Sequence, residues 1–149
     1  MEADETIVAG NSDAGVSQTN DGSALRFYAG TVRIFSAEPN LLKIVSRMST
    51  AKGSDTASSN TLTLPSKGTL FNITGNTSIR HITNTGWPAG SIIILVLNGL
   101  ITIKHAFSNP PANTAPILLN AGLDFIAQNN STLSLIYDGT QWLETSRKI

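Results

Sequence analysis

The chain has no cysteine among its 149 residues, which excludes a disulfide, a thiolate metal site and a cysteine nucleophile. Charge is scarce, at 13% of residues, and balanced between 10 basic and 10 acidic side chains. With no net field and no basic cluster, double-stranded nucleic acid is disfavoured as a main ligand. Aromatic residues are 6% of the chain and no basic residues interleave with Trp87, Tyr137 and Trp142, so a single-strand stacking platform there would lack its electrostatic groove. The longest apolar run, Ile92 to Leu97, is one strand long, whereas a membrane helix needs roughly 20 such residues. The N-terminal MEADETIVAG is acidic and lacks the basic n-region and apolar core of a signal peptide. No membrane insertion is expected.

What the chain does have is uncharged polarity. It holds 17 Thr, 16 Ser, 13 Asn and 12 Gly, a composition that favours strands and tight turns over exposed amphipathic helices. Charge also divides the chain, because residues 68–146 carry only Arg80, Lys104, Asp124, Asp138 and Glu144. A stretch so poor in charge packs against other chains or presents a neutral face to a ligand.

These patterns place an N-terminal arm with short strands, suited to act as a connector, at residues 1–60, and a hairpin-rich β domain at 61–149. Within the arm, Asn11 to Ser23 and Ser49 to Asn60 read as loops. LRFYAG, TVRIFS and NLLKIVSRM read as strands, with a short helix as the alternative for Leu41 to Met48. Tyr28 alternates within a strand and takes a structural role. In the second part, Gly75-Asn76, Asn98-Gly99 and Asp138-Gly139 each sit between two β-prone runs and predict three hairpins of similar grammar, a loose internal repeat. Pro110, Pro111 and Pro116 argue against a helix there and favour an extended connection. Because Ile92 to Leu97 shows no polar alternation, both its faces should be covered, the second by another sheet or a neighbouring subunit. The expected class is all-β: an antiparallel, hairpin-rich sandwich or jelly-roll-like module.

Catalytic signatures are missing. The sequence has no phosphate-binding glycine loop, no helical histidine pair and no Gly-x-Ser-x-Gly elbow, and no cofactor is expected. His81 and His105 end IRHI and IKHA and are the weak metal candidates, able to join Asp124 or Asp138 if the hairpins stack. The other reading gives each histidine a hydrogen bond at a strand edge or interface. Glycoside cleavage needs paired carboxylates, and only Asp124, Asp138 and Glu144 are on offer, so the chain is read as a non-enzyme, with a site shared between subunits the one arrangement that escapes this argument. Candidate ligand contacts are the aromatics Trp87, Tyr137 and Trp142, with Asp138. Flat rings beside hydrogen-bonding groups hold sugar rings, although such residues also fill the margins of β cores.

From Thr61 to Arg147, the phrases around Ile82, Gly90 to Asn98, Leu118 to Phe125 (LLNAGLDF) and YDGTQWLETSR resemble a β-rich module at the ends of tailed-bacteriophage tail fibre and tailspike proteins. DGSALRFYAG, Asp21 to Gly30, resembles a weaker phage-tail phrase that introduces such a module. The resemblance implies a structural virion protein, at the phage tail or capsid surface, that forms a homotrimer. Its partners would be itself, other virion proteins and a host cell-surface polysaccharide, bound as a receptor. A purely architectural capsid-decoration or connector role is the close alternative. A carbohydrate-binding module or an intersubunit polysaccharide-degrading enzyme is a further one, although the long β-helical body of the phage enzymes is missing from this chain.

Overall fold

A chain rich in Thr and Ile, with turn residues at short intervals, folds as strands. The structure, a computed structural model, describes residues 49–149 in full and, earlier, the backbone of five strands. The chain divides into two units, Met1–Ser49 and Thr50–Ile149.

In the first unit, β1 (Thr6–Ile7), β2 (Ala14–Gln18), β3 (Leu25–Ala29), β4 (Val32–Glu38) and β5 (Leu41–Ile44) form one antiparallel sheet in chain order. The segment read as loop at Asn11 to Ser23 therefore contains a strand, since β2 pairs with β3 along its whole length. Ladder pairing overrides a Gly- and Ser-rich composition there. Of NLLKIVSRM, Leu41–Ile44 is strand and not helix; Val45 to Met48 lie outside the described residues.

The second unit holds β6 (Thr56–Ala57), β7 (Thr61–Leu62), β8 (Leu70–Thr74), β9 (His81–Thr83), β10 (Ile92–Asn98), β11 (Thr102–Ile103), β12 (Thr114–Leu118), β13 (Phe125–Ile126), β14 (Ser131–Tyr137) and β15 (Trp142–Lys148). Eight of these make a nearly closed, barrel-like sheet in the order β6-β8-β10-β14-β15-β12-β9-β7, and β11 pairs with β13 apart from it. The two edges, β6 and β7, are consecutive in the chain, which is what leaves the sheet close to closure.

The expectation of an antiparallel, hairpin-rich sheet holds only in part. Among the described residues antiparallel pairings predominate, but β6–β8, β8–β10, β7–β9 and β12–β15 are parallel. Of the three expected hairpins only β14–β15, closed by Asp138-Gly139, forms. The strands around Gly75-Asn76 and Asn98-Gly99 do not pair with each other. They are successive rungs: β6, β8 and β10 stack in parallel, while β7 stacks on β9 and Ile79 bridges in parallel to Ile103. The first two units of the loose repeat are thus rungs whose glycines turn corners, while the third is a hairpin.

The corners stack closely. A Cβ on Gly99 would lie 2.0 Å from the Gly75 carbonyl oxygen, and one on Gly75 would lie 3.0 Å from Ser58 Oγ. That Oγ accepts from the Thr77 N–H at 3.0 Å, and the Ser58 N–H donates to the Thr74 carbonyl at 2.7 Å. Asn-Gly was therefore read correctly as a turn and wrongly as a hairpin, because one dipeptide serves both a reversal within a sheet and a corner between two.

The inner face of the barrel carries Phe71, Ile73, Ile93, Leu95, Leu97, Leu133 and Leu135, all fully buried. Pro116 lies inside β12, a strand paired on both sides. It is tolerated because the ladder to β9 ends at Pro116 and the ladder to β15 starts at Ile117, so the missing N–H falls at the changeover.

Candidate functional site

Trp87, distant in sequence, meets Tyr137 and Trp142 at one end of the barrel. Tyr137 and Trp142 are the residues facing each other across the β14–β15 hairpin, with ring centroids 5.0 Å apart. Trp87 stands edge-on to Trp142 at 5.8 Å and to Phe71 at 6.3 Å. Its loop is tied to the hairpin because the Gly90 N–H donates to the Tyr137 carbonyl at 2.7 Å and the Tyr137 N–H donates to the Ser91 carbonyl at 2.9 Å. The Tyr137 hydroxyl donates to the Gly139 carbonyl at 2.8 Å and accepts from Asn84 Nδ2 at 3.1 Å.

Burial separates the four contact candidates. Trp142 is 0% exposed and Tyr137 5%, so both rings belong to the core and neither offers a face to a ligand. Trp87 is half-buried and Asp138 exposed. Asp138 folds its carboxylate onto its own turn, accepting from Gln141 N–H at 2.8 Å, Thr140 N–H at 2.7 Å and the Thr140 hydroxyl at 2.8 Å. Those bonds all fall on Oδ1 and hold the carboxyl down at about 2. Of the four, Trp87 and Asp138 reach the surface, and Trp87 is the one that brings an aromatic ring there.

The histidines do not form a metal site. Buried His81 donates from Nε2 to the Phe107 carbonyl at 3.1 Å, while His105 Nδ1 accepts from the Leu119 N–H at 3.0 Å. Each clamps backbone, His81 from interior strand β9 and His105 from the loop after β11, not from a strand edge. Among the described residues no three His, Asp or Glu side chains are grouped to hold a metal ion.

The carboxylates are similarly engaged. Asp124 accepts from Lys104 Nζ at 2.6 Å and from the His105 N–H at 2.9 Å, which keep its pKa below the ordinary value. For Glu144, burial pushes the pKa up, but two hydrogen bonds from Arg147 and one from the Asn120 N–H outweigh it and the net direction is down. A general acid in glycoside cleavage needs the opposite shift.

Two features were not singled out from the sequence. The first is the outer face of the barrel. Ile92 pairs with Ile136, Ile136 with Leu143, and Leu143 with Leu118, so four aliphatic side chains form one row across β10, β14, β15 and β12. Ile94 and Leu70, also paired, stand one row further along. Ile92 is 54% exposed and the others are half-buried. Among the described residues, the outward positions of β8, β10, β12 and β14 carry no charge. Charges stand only at the borders, in the Lys52–Asp55 pair next to β8 and in Lys148 near the end of β15. Within the second unit the inner half of the expectation for Ile92 to Leu97 is met, since the odd-numbered residues are buried in the barrel, whereas the even-numbered residues face outward.

The second is a cleft of about 180 Å³ lined by Leu64, Ser66, Gly68, Thr85, Gly86 and Trp87. Its parts come from two loops about 20 residues apart, brought side by side by the parallel β7–β9 stack; only the rung topology makes it visible.

The chain matches no family model, no curated protein and no solved structure.

Proposed function

We propose that the chain is a structural module of a tailed-phage tail fibre or tailspike, which trimerises and attaches the virion to a glycan on the host surface. The observation that carries this reading is the uncharged outer face with its row Ile92–Ile136–Leu143–Leu118. Burying such a row yields about 25 cal/mol per Å² of apolar area, and no charge has to be desolvated to bury it. The charge-poor stretch 68–146 and the fibre-like phrases from Thr61 to Arg147 support the same reading. Three weak sites on one particle would then act together through avidity.

The architectural alternative, a capsid-decoration or connector protein, gains from the burial of Trp142 and Tyr137, which removes two of the four candidate contacts. Binding of the trimer to host-surface polysaccharide separates the two readings: attachment requires it and a connector does not. The polysaccharide-degrading alternative draws no support from Asp124 and Glu144, both ionised and tied to a cation.

Ile136→Lys tests the face directly. The variant should keep the far-ultraviolet spectrum and cooperative melt of the wild type while its mass falls to that of one chain. An unchanged mass would remove the outer face as the means of assembly.

A further inference from the structure

The geometry points to the cleft beneath Trp87 as a subsite for one neutral pyranose ring. This rests on the attachment reading above and gives it a place and a ligand class. Trp87 is the wall. Its edge-on contacts with Phe71 and with fully buried Trp142 fix the ring before any ligand arrives, so binding bears little ordering cost. The Trp87 N–H donates to the Asn84 carbonyl at 3.1 Å and the Ser91 hydroxyl to the Pro88 carbonyl at 2.6 Å, which hold the loop that carries it.

The rest of the lining sets the class. Ser66 and Thr85 are exposed and set hydroxyls at the rim, where a sugar hydroxyl can meet them. Gly86, at φ +81°, has open space where a Cβ would stand, which lets a ligand approach the backbone. No charged side chain lines the cleft; Lys67, between Ser66 and Gly68, is exposed and is not part of the wall. A uronate, sialate or phosphate would lose hydration without gaining a counter-ion, whereas a neutral ring needs only a flat apolar face and a few hydroxyls. The volume falls below the roughly 300 Å³ at which drug-sized pockets begin, so the cleft takes a single ring and leaves the remainder of a glycan in solvent.

The test is an NMR titration of the full chain with methyl glucoside, galactoside, mannoside and rhamnoside, and with glucuronate as the charged comparator. With two tryptophans, two indole N–H signals report separately. A neutral pyranoside should shift the Trp87 indole with a dissociation constant on the order of 1 mM and should leave Trp142 nearly still. Ser66→Leu, an exposed position that fills the cleft, should weaken binding at least about tenfold at an unchanged melting temperature, and Trp87→Ala should weaken it as much at a lower melting temperature, since its ring packs on Phe71 and Trp142. The inference is overturned if no neutral pyranoside shifts Trp87 up to roughly 50 mM, if Ser66→Leu binds as the wild type does, or if glucuronate binds equally well. A host polysaccharide that still binds the Ser66→Leu and Trp87→Ala trimers would overturn the cleft and leave the attachment reading intact. Loss of polysaccharide binding from the wild-type trimer would overturn both.

Discussion

Replacing Gly99 by alanine tests the rung architecture where it is most tightly built. The added Cβ would stand 2.0 Å from the Gly75 carbonyl oxygen and 3.2 Å from its carbon, against an ordinary separation of about 3.5 Å. The two corners must therefore move apart by more than an ångström. The β8–β10 ladder ends directly beneath them, at Thr74↔Asn98 and Ile73↔Leu97, so one or two of its terminal hydrogen bonds weaken, at about 1 kcal/mol each. Overpacking adds about 1–3 kcal/mol, giving a total on the order of 2–5 kcal/mol. Gly86→Ala is the control. Its φ of +81° carries the left-handed penalty of about 1–2 kcal/mol, but nothing lies within 4 Å of the new carbon. In a unit of this size 1 kcal/mol moves the melting temperature by about 4–8 °C. Urea and thermal unfolding of the two variants should therefore place Gly99→Ala well below Gly86→Ala. Equal stabilities would refute the stacked corners.

Three further outcomes follow from the same geometry. Glu144→Ala leaves Arg147 and the Asn120 N–H without their acceptor and should cost about 3 kcal/mol, read by denaturant unfolding, with Glu144→Gln milder. Asp138 titrates near 2 when folded, against an ordinary value of 3.8. Since the folded pKa is the depressed one, its contribution is complete above about pH 4 and disappears as pH falls through 2; carboxyl NMR should show the low midpoint, and Asp138→Asn should flatten that limb of the acid melt. Trp142→Ala empties the centre of the aromatic cluster and should cost about 3–5 kcal/mol, whereas Trp87→Ala, at the half-buried edge, should cost distinctly less in the same thermal melts.

What the sequence made legible was local. The all-β class, the Asp138-Gly139 hairpin and the strands at Leu25–Ala29 and Leu70–Thr74 depend on neighbours a few residues apart, where β-branched runs and turn dipeptides carry the signal. The pairing partners did not show. Asn98-Gly99 and Asp138-Gly139 look alike in sequence, yet one turns a corner between rungs and the other closes a hairpin, because the difference lies in what stacks on the turn: Gly75 presses on Gly99, while a Cβ on Gly139 would meet only Ala89 Cβ, at an ordinary 3.5 Å. The candidate site was legible to the same degree. Trp87, Tyr137 and Trp142 were found and they do cluster, but which ring reaches solvent depends on the strand face that Tyr137 and Trp142 take in the β14–β15 register. The cleft and the aliphatic row are products of cross-strand register between distant segments, which composition does not encode.

Assembly through the uncharged outer face is read by light-scattering mass coupled to size exclusion. The wild type should run at about 47 kDa, three chains of 15.8 kDa, with Ile136→Lys reduced to one. A wild-type protein that stays at 15.8 kDa at micromolar concentration would contradict it.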